Sequence, residues 1–212
     1  MKLSTNKKLR NAIFYKNYFE NFFIQQNNRV KEKILWTIRL IEDVEVVPSI
    51  YLKSISGTDG IYEIRIQTGS DIFRIFCFFD KENLVVIGNG FQKKTQKTPK
   101  NEITKAIQIK LNYKTKNNTI SLDQFITNHY GVIGTKKRDS FEKGYENFKL
   151  GAMLQEARLR KGLTQEALAL KLGTTKSYIS KIENDIKEIR LSNLQRLVEV
   201  GLDAKLELNI HF

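Results

Sequence analysis

Apolar and polar positions change rhythm several times along this chain, and each rhythm predicts an element. From Leu9 to Tyr15 partly apolar, β-prone residues suit a first strand, and two helices are expected at 17–26 and 29–43. In the second helix Val30, Ile34, Leu35, Ile38 and Ile41 recur at steps of three and four, the spacing that gathers side chains on one face of an α-helix. Past Pro48 the period becomes two: Ile61, Glu63, Arg65 and Gln67 alternate with Tyr62, Ile64 and Ile66, and apolar runs follow at 72–79 and 84–89. Asp59-Gly60 and Asp80-Lys81-Glu82-Asn83 are turn-formers between them, so an antiparallel meander is expected. Thr98-Pro99 predicts a helix start, with Thr98 as N-cap and Pro99 at the first helical position, where its missing N–H costs nothing. Ile103, Ala106, Ile107 and Leu111 would form the buried stripe of that helix. The expected order is β-α-α-β-β-β-α, a small α+β fold with helices on a curved antiparallel sheet.

Residues 112–119 are polar and nearly without apolar anchors, which places a first domain at 1–114. Residues 115–148 read as a connector, with a short amphipathic piece, Ile120 to Ile126, and a basic Lys136-Lys137-Arg138, a stretch able to wrap onto the first domain. Residues 149–212 read as a second, all-α domain ending in a strand. Leu150 to Arg160 predicts a helix closed by Gly162. Thr164 then caps another, with Leu163 and Leu168 at the two positions of a hydrophobic staple. Gly173-Thr174-Thr175 supplies a tight turn, and the next helix points Ile179 and Ile182 inward and Lys176, Ser177, Ser180 and Lys181 outward. A short helix with a polar exposed start is what can enter a DNA major groove. The tail from Ala204 to Phe212 alternates apolar and polar residues, and a lone strand with unpaired edges predicts pairing with a second copy in a homodimer.

Composition adds limits. At 212 residues and 24.7 kDa, with 41% hydrophobic and 28% charged residues, two globular domains are expected. No apolar run approaches the roughly 20 residues that span a bilayer, and the basic start lacks an apolar core and cleavage site, so a cytoplasmic protein without membrane contact is expected. The single cysteine, Cys77, lies in an apolar run and suits core packing. The net charge of +13 favours a polyanionic partner. Residues 1–116 hold 21 Lys and Arg against 11 Asp and Glu, whereas residues 117–212 hold 15 against 12, so the excess lies in the half without the helix-turn-helix pattern.

The run Leu163-Thr-Gln-Glu-Ala-Leu-Ala-Leu-Lys-Leu-Gly173-Thr-Thr-Lys-Ser-Tyr-Ile-Ser-Lys-Ile-Glu-Asn184 resembles the Xre/Cro-type helix-turn-helix over its whole length. The resemblance implies operator DNA as partner, phosphate contacts from Gln165 and Asn184 and base-edge contacts from Lys176, Ser177 and Lys181, with Thr175 and Ser180 as further DNA-binding residues. Asp185 stands where that family usually has glycine.

The first domain offers no histidine, no glycine-rich phosphate loop and no cysteine–histidine cluster, and no metal or other cofactor is expected. Asp59, Glu63 and Arg65 suggest a metal nuclease only faintly. What it does carry is Lys53, Arg65, Arg74, Lys93, Lys94 and Lys97 interleaved with Tyr62, Phe73 and Phe91. Cations hold a phosphate backbone and stabilise a phosphorane-like transition state, while aromatic faces stack on bases; a solvated basic surface over core aromatics has the same composition. The segments from Lys53 to Arg65, from Phe73 to Asp80 and from Gly90 to Pro99 resemble the phage-derived Gp49/HigB branch of RelE-type toxins. That resemblance, over residues 8–113, implies a ribosome-dependent mRNA endonuclease in which a ribose 2′-OH attacks the neighbouring phosphate without a metal. It makes Arg65, Arg74, Lys93 and Lys94 the catalytic candidates and Lys53, Tyr62, Phe91 and Lys97 the RNA-binding ones. Residues 119–148 resemble the leading segment of HigA-type antitoxins. Together the resemblances imply a fused toxin–antitoxin, with a regulator carrying an inactive RelE-like domain as the alternative.

Overall fold

The computed structural model describes residues 8–81, 84–93, 98–113, 118–184, 186 and 189–207. Residues 5–138 form one compact unit and residues 139–212 a second.

The first unit is built on a six-stranded mixed sheet in the order β2-β3-β4-β5-β1-β6. Strand β1 (Asn11–Tyr15) is followed by α1 (Tyr18–Phe23) and α2 (Asn28–Asp43). Then come β2 (Leu52–Ser54), β3 (Ile61–Thr68), β4 (Asp71–Asp80), β5 (Leu84–Gln92) and α3 (Lys100–Asn112). β6 (Thr119–Ser121) and α4 (Leu122–Tyr130) complete the unit. The expected meander is present as β3 to β5; β2, which the alternation did not announce, pairs antiparallel to β3, and β1 runs parallel to β5, so the sheet is mixed where an antiparallel one was expected. The apolar stripe read from the sequence of α2 is its buried face, since Val30, Ile34, Leu35, Ile38 and Ile41 are all at most 2% exposed.

Period-two alternation sorts the side chains onto two faces. Tyr62, Ile64 and Ile66 share one face with Phe73, Ile75 and Cys77, as the β3–β4 register requires. There Phe22 of α1 packs on Phe73 at 6.3 Å, and so closely on Gly90 that a Cβ would stand 2.5 Å from its ring. Cys77 is fully buried on this face, and burial pushes its thiol far above the ordinary range, as a core role demands. On the other face α3 covers one end of the sheet, packing Ala106 and Ile109 against Ile61, Phe76 and Phe78.

Two expectations for α3 change. Leu111 is 63% exposed and Ile109 takes its place at 3%, because the helix turns its 103-106-109 side to the sheet. Thr98 does not cap the helix: the flanking residue is Pro99, and the Thr98 hydroxyl faces Glu63 instead.

The stretch read as a connector contains β6 and α4, and α5 (Lys136–Arg160) starts well before Leu150. α4 is capped by Ser121, whose Oγ accepts from Gln124 N at 3.1 Å, and Gly131 ends it at φ +88°. The basic run after it is structural: Lys137 Nζ donates to the His129 carbonyl at 2.7 Å and Arg138 Nη1 to that of Gly131 at 3.1 Å, cations meeting the carbonyl end of α4.

The second unit continues with α6 (Gln165–Lys171), α7 (Lys176–Asn184) and α8 (Leu191–Gln195), which runs into a π-helical turn, Arg196–Gly201. Its core joins Leu154, Leu168, Leu172, Ile179, Ile182, Leu197 and Leu202, with Leu163 packed against it. Of the expected C-terminal strand, residues 204–207 have no regular structure, and 208–212 lie outside the described residues.

Candidate nucleic-acid sites

On the sheet face that α3 only half covers, the register sets residues in rows. Lys53 stands opposite Glu63, and Glu63 opposite Phe76. In the next row Arg65 stands opposite Arg74, and Arg74 opposite Phe91. Lys93 extends β5 by donating its N–H to Ile72 at 2.7 Å, and strand alternation puts it on the side of Phe91.

Two like charges directly opposite would repel. Glu63 resolves this by lying between them: its Oε1 is 3.2 Å from Arg65 Nε and its Oε2 is 3.6 Å from Arg74 Nε, while the Thr98 hydroxyl approaches Oε2 at 3.5 Å. The trio keeps one net positive charge. Its members differ in access, since the Arg65 side chain is 32% exposed and that of Arg74 only 7%. Arg74 also donates from Nη1 to the Phe73 carbonyl at 2.9 Å. Burial lowers the guanidinium of Arg74 below its ordinary pKa; Glu63 opposes that shift and Arg65 adds to it. Both Nε atoms are buried and make no aligned hydrogen bond, so two donors stand beside the carboxylate with hydrogen-bonding capacity unused.

Of the candidates read from sequence, Lys53, Arg65, Arg74, Phe91 and Lys93 therefore share this face. Phe91 is half-buried, its ring 5.6 Å from Phe76 at the margin of the α3 core. Tyr62 is corrected: one residue from Glu63, it points through the sheet to the opposite face and packs edge-on against Phe79 at 5.0 Å. Lys94 and Lys97 lie outside the described residues. Asp59 is turned to α3, where its Oδ2 accepts from Lys110 at 3.0 Å, and among the described residues no three potential ligands gather as a metal site.

In the second unit α6 and α7 form the expected pair around a tight turn. Thr164 Oγ1 accepts from Ala167 N at 3.0 Å, and Thr175 Oγ1 from Tyr178 N at 3.2 Å. Lys176, Ser177, Tyr178, Lys181 and Asn184 are exposed along α7, and Ser180 is partly so. Lys176 forms an ion pair with Glu166 of α6. Behind this surface Arg158 donates from Nη2 to Glu183 Oε2 at 2.9 Å and from Nη1 to the Leu163 carbonyl at 2.6 Å, and Gln165 Nε2 donates to the same Glu183 oxygen at 2.8 Å. Glu183 is 2% exposed, so one buried carboxylate fixes α5, α6 and α7 together and holds the Gln165 amide in place. Gly151 lets α5 approach: a Cβ there would stand 2.7 Å from the Glu183 carbonyl oxygen.

Residues 21–110 match the family of phage-derived Gp49-like proteins, and residues 154–200 match a helix-turn-helix family. The chain joins a Gp49-like domain to a DNA-binding helix-turn-helix domain. No curated protein matches the chain significantly. Among the described residues no helix is long and apolar enough to cross a membrane.

Sequence reasoning missed Glu63 as the hub of the Gp49-like site, although period-two alternation already placed it on the face of Arg65. It also missed Thr98, Asn89 and Glu102. Asn89, 1% exposed, donates from Nδ2 to Glu102 Oε2 at 2.8 Å and ties β5 to the first turn of α3. Asn89 lies in the register shift of β5 opposite Ile75–Cys77, a β-bulge that no local pattern announces. In the helix-turn-helix domain the missed pair is Arg158 and Glu183, 25 residues apart.

Proposed function

We propose that the Gp49-like domain is an endoribonuclease that cleaves messenger RNA on the ribosome, and that the helix-turn-helix half neutralises it and represses its own operon from the cytoplasm. The reading rests on one observation above the rest: Arg65, Arg74 and Phe91 stand in one row beside Glu63, on the sheet face that carries α3, with Phe91 at the margin of the α3 core. Arg65, the exposed member, binds the scissile phosphate. Arg74, buried behind it, positions Glu63. The carboxylate takes the 2′-OH proton, a task for which this face supplies no histidine, as the 2′ oxygen attacks phosphorus and the 5′ oxygen leaves. Lys93, with Lys94, supplies charge and a proton for the departing oxygen; Lys53 and Lys97 bind the flanking backbone, and Phe91 stacks on a base.

On α7, Lys176, Ser177 and Lys181 read base edges in the operator, Gln165 and Asn184 contact phosphate, and Thr175 and Ser180 hold the helix in register. A homodimer through the C-terminal tail would present two such helices to two half-sites.

A second reading is favoured by the near-complete burial of Arg74 and the engagement of both arginines by Glu63: a transcription regulator whose Gp49-like domain is inactive. Expression of residues 1–138, which contain the compact unit 5–138, separates the two. Growth arrest with cleaved message supports the nuclease, and healthy cells with intact message leave the regulator.

A further inference from the structure

β6 and α4 lie outside both matched regions, which end at residue 110 and begin again at 154, yet they are integral to the first unit. The other five strands form a continuous sheet without β6, which adds at the end of the order beside β1 with Ile13, Phe14 and Tyr15 paired to Ser121, Ile120 and Thr119. α4 then sends Leu122, Phe125 and Ile126, each at most 1% exposed, into the molecule. Phe125 fits among three aromatic rings, its centroid 4.4 Å from Phe14, 5.5 Å from Phe19 and 5.1 Å from Phe23. At the rim Lys8 Nζ bridges Asp123 of α4 at 2.7 Å and Glu42 of α2 at 3.0 Å. With its own N-cap at Ser121 and its own stop at Gly131, α4 is specified locally.

The side on which it docks matters. Phe14 pairs with Ile87, and Ile87 with Cys77, so the ring that meets Phe125 belongs to the face of Tyr62 and Cys77. Arg65, Arg74 and Phe91 belong to the other.

We propose that β6 and α4 are a docking module by which the helix-turn-helix half grips the Gp49-like domain, through strand addition at β1 and an aromatic plug, on the sheet face away from the arginine row. Strand addition supplies affinity through main-chain hydrogen bonds and the buried ring supplies specificity. The inference rests on reading the chain as two fused components. It assigns to β6 and α4 attachment without occlusion of the arginine row.

The test uses the full chain with a protease site placed between Tyr113 and Asn118, cleaved after purification. The two fragments should stay together on gel filtration. Phe125→Ala should shorten their lifetime as a complex by about a hundredfold or more, the scale expected for deleting a buried aromatic anchor. If circular dichroism shows that this variant unfolds before cleavage, Asp123→Lys carries the test instead. It sets like charge against Lys8 at an exposed rim and should speed dissociation several-fold. Fragments that separate at once with Phe125 intact, or that stay together equally in these variants, overturn the proposal. Association is read without RNA or DNA, so a failed nuclease reading leaves this result unaffected.

Discussion

Arg65 and Arg74 face each other across two antiparallel strands and share one carboxylate, that of Glu63, at 3.2 and 3.6 Å. They are unequal. Arg65→Ala removes a partly exposed cation and should abolish RNA cleavage while leaving the melting temperature within a few degrees of the parent. Arg74→Ala leaves a buried carboxylate half-paired and should cost about 3–5 kcal/mol of stability, the penalty of breaking one partner out of a buried pair. Thermal melts beside cleavage assays distinguish the two effects.

Lys181, exposed on α7, and Glu183, buried beneath it, differ in the same way on the DNA side. Lys181→Ala should weaken operator binding and relax its sequence preference at the base it reads, with unchanged folding. Glu183→Ala should weaken it through structure, because Arg158 and Gln165 both lose their anchor, and the helix-turn-helix unit should melt at lower temperature. Fluorescence anisotropy, paired with circular dichroism, checks both.

Gly151 supplies a packing test. Gly151→Ala places a methyl against backbone at 2.7 Å, where nothing flexible can give way, and should destabilise the second unit by roughly 1–3 kcal/mol despite the better helix propensity of alanine. Chemical denaturation followed by helix signal measures it.

His129 gives a pH dependence. It packs on Phe125 at 4.5 Å and on Phe23 at 5.0 Å, and its pKa lies below the ordinary value chiefly through burial; Lys31 and Lys137 act in the same direction and Glu20 against it. A histidine with a depressed folded value favours the native state fully above its unfolded pKa near 6.5 and loses that contribution as pH falls through the folded value. The first unit should therefore lose stability between pH 7.5 and 5.5 by more than a His129→Gln variant does.

The alternation of β3 made the arginine face legible, and the three-and-four spacing of α2 made its buried side legible, because both are local consequences of backbone geometry. The helix-turn-helix was legible because its caps, staple and turn lie within 22 consecutive residues. What stayed hidden depends on distant partners. Thr98 has the sequence of a cap, but its hydroxyl meets Glu63, 35 residues away. Tyr62 was misplaced for another reason: its stacking chemistry suggested RNA, although the legible alternation of β3 already set it on the face away from Arg65, where it meets Phe79. The amphipathic piece from Ile120 to Ile126 was legible as a stretch able to wrap onto the first domain, but its partner, the aromatic cluster begun at Phe14, was not.

The most direct measurement is cleavage of a translated message by purified residues 1–138 and by the Arg65→Ala form in a reconstituted translation system containing ribosomes, read by primer extension. A nuclease centred on Arg65 gives discrete cuts from the parent fragment and none from the variant. Intact message with folded parent fragment, or equal cutting by both proteins, would contradict it.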